Sequence, residues 1–104
     1  MSRPPKPKKV SFEPSVVYFK PRAVPLSTIE EINLNIAELE AVRLCDLQEL
    51  GQLKAAQEMK ISQSTLSRIL TSAHKKIADA LINGKAIEIH KEIMPGANDK
   101  KILT

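Results

Sequence analysis

The sequence is poor in aromatic side chains. They make up 3% of its 104 residues, tryptophan is absent, and Phe12, Tyr18 and Phe19 all lie in the N-terminal third. A platform that stacks the bases of single-stranded nucleic acid needs rings spread along its surface, so that class of binder is excluded. The one cysteine, Cys45, has no partner for an internal disulfide, and its apolar neighbours make it a buried structural thiol of an intracellular protein. No hydrophobic run approaches transmembrane length, and the basic start MSRPPKPKK leads into SFEPS instead of an apolar signal core. A soluble, cytoplasmic protein with no membrane partner is expected.

Catalytic equipment is equally scarce. His74 and His90 stand in unrelated segments, there is no cysteine cluster, and the three glycines form no phosphate-cradling loop. With no nucleophile–base pair either, the expectation is a non-enzyme that needs no metal and no cofactor.

Acid is missing from one stretch in particular. From Ser62 to Ala78 the chain carries Arg68, His74, Lys75 and Lys76 and no Asp or Glu, whereas a merely solvated helix face usually mixes Glu with Lys. The net charge of +4 is modest, but its distribution is uneven. Residues 1–22 hold six cations against Glu13, for a net of +5, and residues 23–50 hold six carboxylates against Arg43, for a net of −5. Residues 51–90 return to +3. A polyanion would meet the two basic zones and avoid the middle.

What is present inside the second basic zone is the run QLKAAQEMKISQSTLSRIL, Gln52 to Leu70, which reads as two short helices joined by a tight turn. Ala55 and Ala56 permit a second helix to cross closely. Ile61, Leu66 and Ile69 are spaced to share a small core between the two helices. Ser62 is a favoured N-cap, and from Leu66 onward Ile69, Leu70, Ala73, Ile77, Ala80 and Leu81 recur on one helical face. Ser64, Arg68, Thr71 and Lys75 fall on the opposite face, with hydroxyls and cations but no large apolar group. That arrangement is expected of a helix that enters the major groove of double-stranded DNA.

The remaining chain frames this pair. Residues 1–9 form a basic arm, residues 10–90 the domain, and residues 91–104 a loose tail. VSFEPSVVYFKP, broken by Pro14 and Pro21, offers one or two short strands or an extended strap. Pro25 to Glu31 is read as a single helical turn, and Asn35 with Glu38 as a capping box for a helix running to about Leu47. Gly51 serves as the N-cap of the helix Gln52 to Met59, and Gly84 stops the long helix. The alternating KAIEI, Lys85 to Ile89, is a strand that can pair with the N-terminal strap. The fold class is therefore mainly α, a helix-turn-helix domain with short N- and C-terminal β-strands.

With these residues in view, the chain resembles a small prokaryotic family of predicted DNA-binding proteins of unknown function, whose helix-turn-helix is similar to that of sigma factor region four. The resemblance covers roughly residues 3–89. It rests on RPPKPKKV, YFKP, VPL, ELEAVRL, AAQEM with SQSTLSRIL, and AHKKIADAL followed by GKA, in that order. It implies a role like that of a transcription regulator, with the recognition helix carried by Gln63, Ser64, Thr65, Ser67 and Arg68.

Three positions depart from the family pattern. Lys60 stands where the turn favours Gly, and a non-Gly residue in a left-handed conformation costs on the order of 1 kcal/mol. His74 stands where Arg is usual. Glu49 precedes Leu50 where Gly is usual.

The site expected from all this has Gln63, Ser64, Ser67 and Arg68 reading bases, Arg68 suited to guanine and Gln63 to adenine. Lys54, Lys60, Thr65, Thr71, His74, Lys75 and Lys76 would hold phosphates, with a steep salt dependence. A homodimer is expected because one pair of this size makes few contacts on DNA and a two-fold copy doubles them. A second class of function fits the same residues: a protein-docking module that contacts RNA polymerase or another regulator.

Overall fold

The structure is a computed structural model that describes residues 9–10 and 17–90. The expected arm, Lys9 excepted, the stretch 11–16 of the strap and the expected tail lie outside the described residues. Strand β1 is Tyr18–Phe19; a single 3-10 turn at Leu26–Thr28 leads to strand β2, Glu31–Asn35. Helix α1, Ile36–Val42, continues as a π-helical turn over Arg43–Leu47. Helix α2 is Gln52–Met59, α3 is Gln63–Asn83, and strand β3 is Ala86–His90. The domain is thus mainly helical, with short flanking strands.

Most helix ends have local causes. The Asn35 side chain accepts from the Glu38 N–H at 2.7 Å while the Glu38 carboxylate accepts from the Asn35 N–H at 3.0 Å, a reciprocal capping box that starts α1. The end of α2 is a Schellman motif: the Ile61 N–H donates to the Ala56 carbonyl and the Lys60 N–H to the Gln57 carbonyl. Lys60 is left-handed there, at φ 59°, ψ 45°. Gly84 ends α3 in the same way at φ 69°, with the Lys85 N–H on the Ala80 carbonyl.

The helix read as running to about Leu47 has that length, but its last turn is widened. The Gln48 N–H reaches back to the Arg43 carbonyl and the Leu50 N–H to the Leu44 carbonyl. Glu49 then turns the chain at φ 62° into α2.

The three strands form one sheet in the order β1-β3-β2. β3 pairs with β1 of the strap, the pairing expected of KAIEI, in the antiparallel sense, and parallel with β2. β2 is an element the sequence reading did not anticipate. EINLN carries only two apolar residues, and asparagine is depleted in strands. Its partner lies more than fifty residues on, where Ile87 faces Ile32 and Ile89 faces Leu34. Across the sheet, the Tyr18 hydroxyl donates to the Glu31 carboxylate at 2.6 Å, a bond that pushes the phenol pKa up to about 12.

Two apolar clusters meet at Val42. One joins Ala37, Ala41 and Leu44 of the first helix to Ala55, Ala56 and Met59 of α2 and to Leu66 and Leu70 of α3. Ala55 and Ala56 are buried, as close helix crossing requires, and Ile61 and Ile69 pack against this cluster. The other joins Leu34 and Ile89 of the sheet to Ile36 and Ala73. Cys45 packs partly buried on the first cluster, where burial raises its thiol pKa and Asp46 adds to the effect. Leu47 and Leu81, counted among the apolar helix positions, instead face solvent, each 76% exposed.

Candidate nucleic-acid interface

Helices α2 and α3 are joined by only Lys60, Ile61 and Ser62. The Ser62 side chain accepts the Thr65 N–H at 3.1 Å and its hydroxyl donates to the Thr65 hydroxyl at 2.9 Å. Ser64 lies 3.3 Å from the same oxygen. This knot of hydroxyls fixes where α3 begins, and the buried Leu66 and Leu70 fix which way it faces.

The face left outward carries Ser64, Arg68, Thr71 and Lys75, all exposed and spaced at helical steps of four, three and four. Gln63 is exposed beside the start of this stripe, and Ser67 is half-buried along it. Thr65 is half-buried and occupied with the cap. Lys54 and Lys60 are exposed on α2 and at the turn.

His74 and Lys76 stand differently. His74 Nε2 lies 2.6 Å from an Asp46 carboxylate oxygen delivered by the π-helical turn, with both side chains about half exposed. Lys76 is turned to the sheet side of α3, where its ammonium donates to the Asn33 carbonyl at 2.8 Å and to Glu38 at 2.9 Å. The stripe therefore has a mixed border: Asp46 sits beside one of its expected cations, and Glu38 holds another.

Glu38 is 4% exposed and receives hydrogen bonds from Ser72 at 2.6 Å, Lys76 and the Asn35 N–H. Burial by itself raises its pKa, but the bonds from Ser72, Asn35 and Lys76 together outweigh it and leave the carboxyl below its ordinary value. Asp46 and Glu38 are the site neighbours that sequence reasoning missed. The Glu38 capping box was legible locally; its reach to Ser72 and Lys76, 34 and 38 residues away, was not.

Among the described residues no group of three or more His, Cys, Asp or Glu side chains is placed to hold a metal ion. No helix among them is long and apolar enough to cross a membrane.

Fold and surface together define a small helical domain, closed by a mixed three-stranded sheet, that presents a polar and cationic helix face. The chain belongs to the family described as protein of unknown function DUF134, whose model matches residues 1–94. It is 56% identical over 89 residues to a UPF0251 protein of Caldanaerobacter subterraneus subsp. tengcongensis, covering 86% of this chain and 75% of that one. A UPF0251 protein of Thermoanaerobacter pseudethanolicus is 52% identical over the same shares of the two chains. One of Methanocella arvoryzae is 51% identical over 82 residues, 79% of this chain and 49% of its own. No solved structure matches the chain.

Proposed function

We propose that the protein binds double-stranded DNA sequence-specifically, using α2 and α3 as a helix-turn-helix similar to that of sigma factor region four, in transcription regulation. The observation that supports this most is the stripe Ser64, Arg68, Thr71 and Lys75 on α3, exposed throughout and interrupted by no apolar or acidic side chain.

In this reading the start of α3 enters the major groove. Gln63, Ser64, Ser67 and Arg68 meet base edges, while Lys54, Lys60, Thr71 and Lys75 meet phosphates. Thr65, through the Ser62 cap, contributes mainly by fixing the first turn. His74 and Lys76 reach phosphate only by sharing or leaving Asp46 and Glu38, so they are assigned the smaller share. A second copy bound two-fold would double the contacts, and selection of sites from a random duplex pool reports this directly as site symmetry.

A second reading, docking on RNA polymerase or another regulator, is favoured by Leu47 and Leu53, both exposed, close in sequence to the acidic Asp46 and Glu49. A mobility-shift titration on random duplex at low and moderate salt decides between them. Binding that weakens steeply with salt is the expected result; no binding at low salt would remove the DNA reading and leave docking.

A further inference from the structure

The last carbonyl of α2, on Met59, has no acceptor role inside its own helix. It is satisfied from fifty residues earlier in the chain: the Lys9 N–H donates to it at 3.1 Å. Val10, the next residue, packs against the cluster of Leu34, Ile36, Ala73 and Ile89. One backbone bond and one apolar side chain thus hold Lys9 at the end of α2. The bond lies one residue from Lys60, the left-handed residue of the turn that leads to the Ser62 cap.

The side chains of Lys9 and Lys60 are both exposed. Among the described residues neither takes part in an ion pair, whereas Lys76 is paired with Glu38 and Lys85 with Glu30 and Asp79. The carboxylate nearest to Lys60 in sequence, Glu58, lies close enough to Arg43 to act on its charge. Neither position calls for a lysine on structural grounds. Any residue except proline could make the bond to Met59, and glycine would take the left-handed turn more readily. Two ammonium groups carried side by side repel one another, and an anion held between them turns that repulsion into attraction.

The pair stands at the N-terminal end of the polar stripe on α3. Lys75, eleven residues beyond Ser64, stands at the other end, about 16 Å along the axis at 1.5 Å per residue. The major groove of B-DNA is roughly 12 Å wide, so with α3 in the groove the cations at the two ends of the stripe meet phosphates on its two walls. Lys75 serves one wall; Lys9 and Lys60 serve the other.

We infer that Lys9 and Lys60 form a two-lysine phosphate site at the groove wall where α3 begins, with Lys9 brought to DNA by its backbone bond to Met59. The inference rests on the reading of α3 as the DNA-facing helix and adds to it a contact residue from outside the helix pair and the wall that it holds.

The test compares the full chain with Lys9→Gln, Lys60→Gln, the double variant, Lys75→Gln and Arg68→Ala, each first checked by circular dichroism for an unchanged helical spectrum. Lys20→Gln is the control, because Lys20 is an exposed lysine at the end of β1, opposite the start of β3. Binding is measured between low and moderate salt on a selected and on a random duplex. Lys9→Gln and Lys60→Gln should each lose about 0.9 from the slope of log affinity against log salt, and the double variant about 1.8, on both duplexes. Lys20→Gln should keep the slope of the full chain. Single phosphates of the selected duplex are then replaced in turn by uncharged methylphosphonate. At one phosphate the replacement should weaken the full chain and Lys75→Gln several-fold and leave Lys9→Gln unaffected.

An unchanged slope in Lys9→Gln, with the full chain salt-sensitive and Arg68→Ala impaired, overturns the Lys9 contact and leaves the α3 reading standing. Equal losses of slope in Lys9→Gln and Lys20→Gln, or no phosphate to which Lys9→Gln alone is indifferent, reduce the effect to overall charge and overturn the site. A double variant that loses no more than either single one overturns the pairing. A full chain with no salt-sensitive binding overturns both readings.

Discussion

Single residues decide how sharply this chain turns. Lys60 and Glu49 are left-handed without being glycine, at φ 59° and 62°, and both sit where the family resemblance expects glycine. The strain at Lys60 amounts to about 1 kcal/mol, partly offset because glycine there would loosen the unfolded chain. Lys60→Gly is therefore expected to raise stability by up to about 1 kcal/mol in urea denaturation. Gly84→Ala should lower it by about the same amount, since an added Cβ at Gly84 meets nothing within 4 Å and the cost is conformational alone. Loss of stability in Lys60→Gly would mean that the looser unfolded chain outweighs the relief of strain. Residue identity also separates the two kinds of DNA contact proposed for α3. Arg68→Ala is expected to lose roughly 1–3 kcal/mol of discrimination at one base position, and Lys75→Ala to weaken every sequence about equally. Binding measured on selected and random duplexes checks both, and equal losses for Arg68→Ala would remove its base-reading role.

At the scale of elements, the contact that sets α3 against the body is polar as well as apolar. Glu38 belongs to the first turn of α1, Ser72 and Lys76 to α3, and Asn33, which also accepts from Lys76, to β2. The bonds from Lys76 and to Glu38 occupy backbone groups of β2, the Asn33 carbonyl and the Asn35 N–H, that would otherwise be open to pair with a foreign strand. Glu38→Gln keeps the shape but leaves poorly matched partners at a buried site, and should cost about 2 kcal/mol at neutral pH. The sign with pH follows from the lowered carboxyl pKa. Its contribution to stability is complete above the ordinary value of 4.5 and is lost as pH falls through the lower folded-state value. Denaturation midpoints followed from pH 7 to pH 3 should fall more steeply in the natural chain than in Glu38→Gln; parallel acid limbs would mean that Glu38 is not the group responsible. The helices themselves were largely legible from the sequence, because capping boxes, glycine stops and periodic leucines act over three to seven residues. The π-helical turn was not, since it depends on how Leu44 packs while Leu47 is left in solvent.

For the whole molecule, β3 is the piece on which closure depends. It is the central strand, it brings β1 and β2 together although it lies at the far end of the described chain, and it buries Ala86 and Ile89. Two such side chains and the half-buried Ile87 contribute roughly 3–5 kcal/mol, a large fraction of the 5–15 kcal/mol that holds a typical domain. A chain ending at Gly84 should therefore lose its cooperative thermal transition or melt far below the full chain. An unchanged melting temperature would mean that the helical body folds without the sheet.

The sequence by itself determined the helix starts and stops, the opposed apolar and polar faces of α3 and the pairing tendency of Lys85 to Ile89, because these follow from periodicity and capping within a few residues. It also made the stretch Ser62 to Ala78 free of acid along the chain. Only the tertiary structure decided what that means in space. Asp46 arrives beside His74 from 28 residues away and Glu38 takes Lys76 from 38, so charge read along a sequence is not charge read over a surface. Strand β2 was decided in the same way. Five residues with two asparagines have little strand preference alone, and they become a strand because Leu34 is buried opposite Ile89 and Ile32 half-buried opposite Ile87.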